Sequence, residues 1–292
     1  KAKMNSELPD LTTMVNYRDD SNPMNIILGN TQLRNIHYYD IEGGKTFEGK
    51  KHSRLNINTG YHQTDNAVAY SLVFDKQTGV STVQPISVNG NYRIDLGIGY
   101  TRPLDKKEKL SIDNQASFNY NHNVDMAMVQ GTTQSQRSIV NNWKISNVLK
   151  LNYRPDDNYE FTLHGGGTYY LIKSQREGFS NIHAGDYNIG VNVQVALPWK
   201  LQLTTDLTMF ARRGYQLSEM NTTDWIWNAQ LSRSFINKKL LVKLQGFDML
   251  RQLSNTQYLM NAQGRTETWN NSIPRYVMLS LSWRFNVNPK KK

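Results

Sequence analysis

The chain has 292 residues, a formal net charge of +10 and no cysteine, and 38% of its residues are hydrophobic. Without Cys there is no disulfide framework and no thiolate metal site. Without a run of about 18 apolar residues there is no membrane-spanning helix. What remains is rich in Asn, Gln, Thr and Ser and holds 16 Tyr, a mixture that suits strands with one polar and one apolar face.

Such strands appear along the chain as apolar residues recurring at every second position. The alternation is loose at 52–63, 67–76, 86–102 and 109–122. It is strict where Trp143, Ile145, Leu149, Leu151 and Tyr153 alternate with Lys144, Ser146, Lys150, Asn152 and Arg154. After a looser stretch at 159–172, Tyr187, Ile189, Val191, Val193, Val195 and Leu197 form one face. Trp199, Leu201, Leu203, Leu207 and Met209 form the next, opposite Lys200, Gln202, Thr204, Asp206 and Thr208. Stretches at 225–235 and 239–247 lead to Val277, Leu279, Leu281, Trp283 and Phe285. In total about twelve candidate strands emerge, many longer than the roughly five or six residues of an ordinary strand. Their length matches the roughly nine to eleven residues that a tilted strand needs to cross a bilayer.

The connections alternate in length. Tight turns are expected at Leu104–Lys109, Arg154–Asn158, Leu197–Lys200 and Phe235–Lys239. Between them lie long polar connections near 125–138, 174–184, 214–223 and 251–272. Short periplasmic turns and long outer loops mark an outer-membrane barrel. Tyr100, Tyr153, Tyr159, Trp199, Phe235 and Phe285 fall near the short-turn end. Tyr120, Tyr169, Tyr187, Trp225, Trp227 and Tyr276 fall toward the long-loop end, giving one aromatic girdle per membrane interface. The expected fold is therefore all-β, an antiparallel transmembrane β-barrel in the bacterial outer membrane. A soluble β-sandwich binding module would bury the same apolar face and is the alternative without a membrane. Basic residues are dispersed along the sequence in no single stripe, which argues against a nucleic-acid partner.

Little points to catalysis. The histidines, His37, His52, His62, His122, His164 and His183, show no metal-ligand spacing. No G-x-S-x-G elbow occurs. Gly165–Gly167 lacks the Lys-Ser/Thr of a phosphate loop and reads as a bend or as room for something in the lumen. No enzyme activity, cofactor or metal is expected. Asp248–Leu253 reads as a short helical turn at the rim. Face parity marks Arg93, Asp95, Asp113, Lys144, His164 and Asp206 as polar, lumen-facing candidates for ligand contact. Tyr215, Tyr258 and Trp269 are loop aromatics that could stack on a sugar or another flat ligand.

Two stretches carry a family resemblance. Ser21-Asn22-Pro23-Met24-Asn25, followed by Gly29-Asn30 and Leu33, resembles the SNPxNxxxGNxxL signature of TonB-dependent receptors of the Bacteroidetes type. Phe247–Gln252 and Arg275–Phe285 resemble the last hairpin of the same barrels. Such receptors have twenty-two strands around an N-terminal plug and import scarce nutrients with energy passed from the inner membrane. The resemblance implies that residues 1–292 are one barrel region, the C-terminal half of a larger barrel, with the plug absent from this chain. It implies as partners outer-membrane lipid, the missing N-terminal barrel half and plug, and the TonB system acting through the plug. It leaves a surface lipoprotein open as a lid. A self-contained barrel of about twelve strands, serving as pore, secretion translocator or enzyme, is the competing expectation; pairing of the first strand with the last decides between them.

Overall fold

The computed structural model describes residues 1–129, 131–253, 256–260, 265–269 and 273–285. Strand β1 (Ala2–Glu7) is followed by a helical turn at Leu11–Met14, then β2 (Arg18–Asp19), β3 (Asn25–Leu28), β4 (Ile36–Glu48) and β5 (Arg54–Asp65). Next come β6 (Ala67–Phe74), β7 (Ser81–Val88), β8 (Asn91–Pro103), β9 (Leu110–Ala127), β10 (Gln136–Asp156) and β11 (Tyr159–Ser174). The chain continues through β12 (Ile182–Leu197), β13 (Leu201–Arg213), β14 (Thr223–Phe235) and β15 (Leu240–Phe247). Finally come the hairpin β16 (Thr256–Met260) and β17 (Arg265–Trp269), and β18 (Tyr276–Trp283).

Twelve of these form one antiparallel sheet in the order β1-β4-β5-β8-β9-β10-β11-β12-β13-β14-β15-β18. Its longest member, β10, has 21 residues, well beyond what a bilayer crossing needs. Register makes the two faces chemically distinct. One row across the sheet runs Tyr159, Val195, Leu203, Leu231, Leu244, Leu279. The row one residue away runs Glu160, Gln194, Thr204, Gln230, Gln245, Met278. The apolar face stays exposed: Ile145, Leu163 and Ile189 each keep about half of their surface open. Two pairs of uncharged polar side chains on that face satisfy each other. Asn114 and Asn147 exchange side-chain amide hydrogen bonds at 3.1 and 3.2 Å, and Trp227 Nε1 donates to Thr205 Oγ1 at 2.9 Å. Such pairing offsets the cost of a polar group facing hydrocarbon.

The connections sort by end. Residues 49–53, 104–109, 157–158, 198–200 and 236–239 make the short turns; 8–35, 66–90, 128–135, 175–181, 214–222 and 248–275 make the long ones. No ladder joins β1 to β18 among the described residues, so each is an edge of the sheet.

Several expectations need correction. The 67–76 segment is not a strand of the large sheet. It is β6, in a second, four-stranded sheet ordered β2-β3-β7-β6 at the long-connection end. The chain leaves the large sheet at Asn66, whose φ is 55°. Its side chain donates to Asn35 O and its N–H donates to Asn89 Oδ1, which pins the departure. The 86–102 segment breaks at Gly90 (φ 106°) into the end of β7 and β8. The apolar period does not reveal β1 and β4 as strands, because Gly43, Gly44 and Lys45 interrupt the apolar pattern of β4. Trp199 is not the first residue of β13; it sits in the turn with φ 62°. Tyr276 faces the polar side, stacked on Phe247 at 4.5 Å, and so is not a girdle residue. The ladder runs without a register shift through Gly165–Gly167. Asp248–Leu253 is a tight turn, its buried Asp248 carboxylate accepting from Gln252 N and Leu253 N.

The Ser21–Leu33 signature builds the second sheet. Asn22 Oδ1 accepts from Met24 N at 3.1 Å, and Asn30 Nδ2 donates to Pro85 O at 2.9 Å. Leu33 is buried. At Gly29 a Cβ would lie 2.0 Å from Val15 O, so no larger residue fits. The third long connection is tied in as well: Ser135 N donates to Leu72 O and Phe74 N to Thr133 O.

Candidate functional site

A polar-face recess lies at the long-connection end of β10–β13. Its apolar lining is Ile172, Ile182 and Ala184, which with Val140 form a buried cluster against which Phe179 and Tyr215 pack. Their alternation on the polar face is reversed near the strand ends, where loops rather than water cover them. The loop 214–222 folds over because Gly214 takes φ 81°; a Cβ there would meet His183 O at 2.2 Å. Asn221 then ties the loop ends together, accepting from Tyr215 N and donating to Tyr215 O and Leu217 O. Met220 is buried beneath it.

The cavity so formed is about 320 Å³ and is bordered by Asn142, Lys144, Tyr170, Asp186, Arg212 and Tyr215. Lys144 Nζ stands 5.9 Å from the centre of the Tyr170 ring and has no carboxylate within ion-pair distance among the described residues. Asp186 accepts from the Tyr215 hydroxyl at 2.8 Å and lies 3.8 Å from Arg212 Nε. Burial, and then the neighbouring Asp186 carboxylate, push the Tyr215 phenol well above its ordinary range. Asn142 Oδ1 is buried without a hydrogen-bond partner among the described residues. An apolar floor, two tyrosine rings, a surplus cation and a vacant acceptor suit a small polar ligand with a ring face and donor groups. A second recess of about 430 Å³ shares Asp186 and Arg212 and adds Asn188, Phe210 and Asp224. Arg212 and its neighbour Arg213 diverge: Arg213 binds Thr222 O and Thr223 Oγ1 and so braces the loop.

The structure places Arg93, Asp95, Asp113, Lys144, His164 and Asp206 all on the polar face, but in separate groups. Arg93 Nε donates to Asp95 at 2.6 Å, and His62 bridges Asp95 (3.3 Å) and Asp40 (2.6 Å). Asp113 accepts from Thr101 Oγ1, and Asp206 from Asn228 Nδ2. His164 Nε2 lies 3.3 Å from Thr208 Oγ1, and its Nδ1 is buried without a partner among the described residues. Lys144 and Tyr215 meet in the cavity. Tyr258 and Trp269 belong to the β16–β17 hairpin, and their side chains lie outside the described residues. Sequence reasoning missed Asn142, Tyr170 and Asp186, along with His62 and Asp40. Their parity was readable, but their companionship depends on cross-strand register.

No helix among the described residues is long and apolar enough to cross a membrane, which does not bear on crossing by strands. A search of curated proteins finds no match to the chain. A family model described as the outer membrane protein beta-barrel family matches residues 129–283, from the connection after β9 to the last residue of β18. Across the matched span an exposed apolar face backs a polar one, and β8 continues the pattern beyond it with Ile94, Leu96 and Ile98 exposed; a lipid bilayer on one side demands this pattern. The apolar face is thus the lipid-contacting surface, the site is the bacterial outer membrane, and the chain belongs to the outer membrane protein beta-barrel family.

Proposed function

We propose that this chain is the C-terminal barrel region of a TonB-dependent receptor of the Bacteroidetes type, which takes up a scarce nutrient across the outer membrane. The observation that carries the reading is the open sheet: twelve strands, with β1 and β18 unpaired to each other among the described residues. Lipid does not tolerate free strand edges, so further strands complete the wall. The Ser21–Leu33 signature supports the same reading. In it, a plug occupies the space before the polar face and couples to the TonB system of the inner membrane. Ligand is captured at the long-connection end, where Lys144, Tyr170, Asp186, Arg212 and Tyr215 border the cavity. A surface lipoprotein over that end is a fitting lid. The role is binding and transport, without catalysis.

These 292 residues hold no cysteine, so with any cysteine elsewhere in the protein replaced by serine the edges can be tested directly. In the full-length protein in outer membranes, Met4→Cys is combined in turn with Val277→Cys, Leu279→Cys and Leu281→Cys. A short bifunctional maleimide is then added. The expected outcome is no β1–β18 cross-link in any pair. A cross-link in any pair closes the barrel within this chain and replaces the receptor with a twelve-stranded pore, translocator or enzyme.

A further inference from the structure

The net charge of +10 is unevenly placed in space. The short-turn rim comprises residues 48–54, 102–109, 154–160, 198–200, 233–239 and Arg284. It carries thirteen Lys and Arg against six Asp and Glu, a surplus of seven. The long connections with their flanking strand ends (7–35, 65–90, 125–137, 173–186, 212–224 and 248–275) carry thirteen acidic residues against eleven basic ones. Successive antiparallel strands bring five short turns, scattered through the sequence, onto one rim.

Three of the cations near this rim are on the apolar face itself. Lys45 shares the face of Ile57, Arg102 that of Ile112, and Arg233 that of Leu201, each within four residues of a short turn. Lys45 Nζ lies 4.9 Å from the Phe47 ring centre and the Arg233 guanidinium 4.8 Å from that of Phe235. None of the three has a carboxylate partner among the described residues. A cation on the lipid face costs roughly 2–4 kcal/mol at the midplane and about 0–1 near the interface. These stand at interfacial depth, where a long side chain extends toward headgroups. A short-turn rim faces the periplasm, so the nearest headgroups belong to the inner, phospholipid leaflet.

We propose that the short-turn rim is a binding belt for anionic phospholipids of the inner leaflet, with Lys45, Arg102 and Arg233 holding the headgroup phosphates beside the aromatic girdle. Cations confined to the turn tips would suit a soluble polyanion equally well. Cations on the lipid-facing parity, two of them backed by aromatic rings, suit a lipid. The inference rests on family and register and stands whether or not the chain is a receptor.

The test uses the full-length protein in detergent, mixed with equal amounts of phosphatidylglycerol and phosphatidylethanolamine, with retained lipid counted by native mass spectrometry. Phosphatidylglycerol is retained preferentially, and the preference collapses after exchange at high salt. In K45Q/R102Q/R233Q the ratio falls roughly fivefold per cation removed, whereas K45R/R102K/R233K keeps it. K106Q/K107Q, at a turn tip, leaves it nearly unchanged. Equal retention of the two lipids by the wild type overturns the proposal, and this measurement needs no variant to fold. So does a ratio that survives K45Q/R102Q/R233Q but falls in K106Q/K107Q, or co-sedimentation with peptidoglycan that depends on Lys45, Arg102 and Arg233.

Discussion

Tyr215 shows how one side chain fixes a loop. Its hydroxyl donates to Asp186 while its backbone is held by Asn221, and burial beside a carboxylate disfavours the phenolate. The folded pKa therefore lies above the unfolded value of about 10. Below that value both states hold the proton and the contribution of the contact is whole. As pH rises past it, the unfolded chain loses its proton first and the loop loses stability. Phenolate absorbance compared between wild type and Tyr215→Phe should show no contribution from Tyr215 at pH values just above the ordinary tyrosine range. In Asp186→Asn, which removes the repelling charge, that contribution should appear at lower pH.

At the scale of strands, β9 and β10 are held by more than their backbone ladder. Asn114 and Asn147 satisfy each other on a face that meets lipid. Asn147→Ala leaves the Asn114 amide short of its partner and should cost about 1–3 kcal/mol. Asn114→Leu with Asn147→Leu, which removes both polar groups, should cost less; equilibrium unfolding in phospholipid vesicles measures both. This pair also marks what the sequence concealed. Strict alternation makes β10, β12 and β13 plain from the residues alone, yet Asn114 and Asn147 read as breaks in an apolar face until register puts them side by side. β6 alternates as cleanly as its neighbours but belongs to another sheet, because periodicity identifies a strand and not its partner. β4 was hidden by glycines and a lysine. The site divides the same way: the parity of Arg93, Asp95, Asp113, Lys144, His164 and Asp206 was legible. That Lys144 shares a cavity with Asp186 and Arg212, or that His62 bridges Asp40 and Asp95, follows only from strands folded into contact.

For the whole molecule, the two faces of the sheet face different solvents. Val148 and Leu149 are chain neighbours on opposite faces of β10, Leu149 beside Asn114 and Val148 beside Gln115. Leu149→Lys should destabilise the protein in a bilayer by about 2–4 kcal/mol, and Val148→Lys by much less. Unfolding from vesicles gives both numbers, and equal losses would mean that the faces are not divided between lipid and polar surroundings. The basic residues illustrate the same scale. Dispersed in sequence, they form a belt only because the meander returns every second turn to one rim.

The second sheet has a mechanical side. β3 precedes the β4–β5 hairpin and β7 follows it, and the two pair in parallel through Asn25–Ser81, Ile26–Thr82 and Ile27–Val83. The hairpin is therefore enclosed in a ring of chain closed by that short ladder. Tension carried along the chain from β2 into Asn25 loads this ladder before it passes on to the start of β4, while tension on the chain ahead of β1 falls first on the β1–β4 ladder. Because parallel strands pulled from opposite ends share the load across all their bonds at once, the clasp resists shear and protects the first hairpin of the wall from being peeled away.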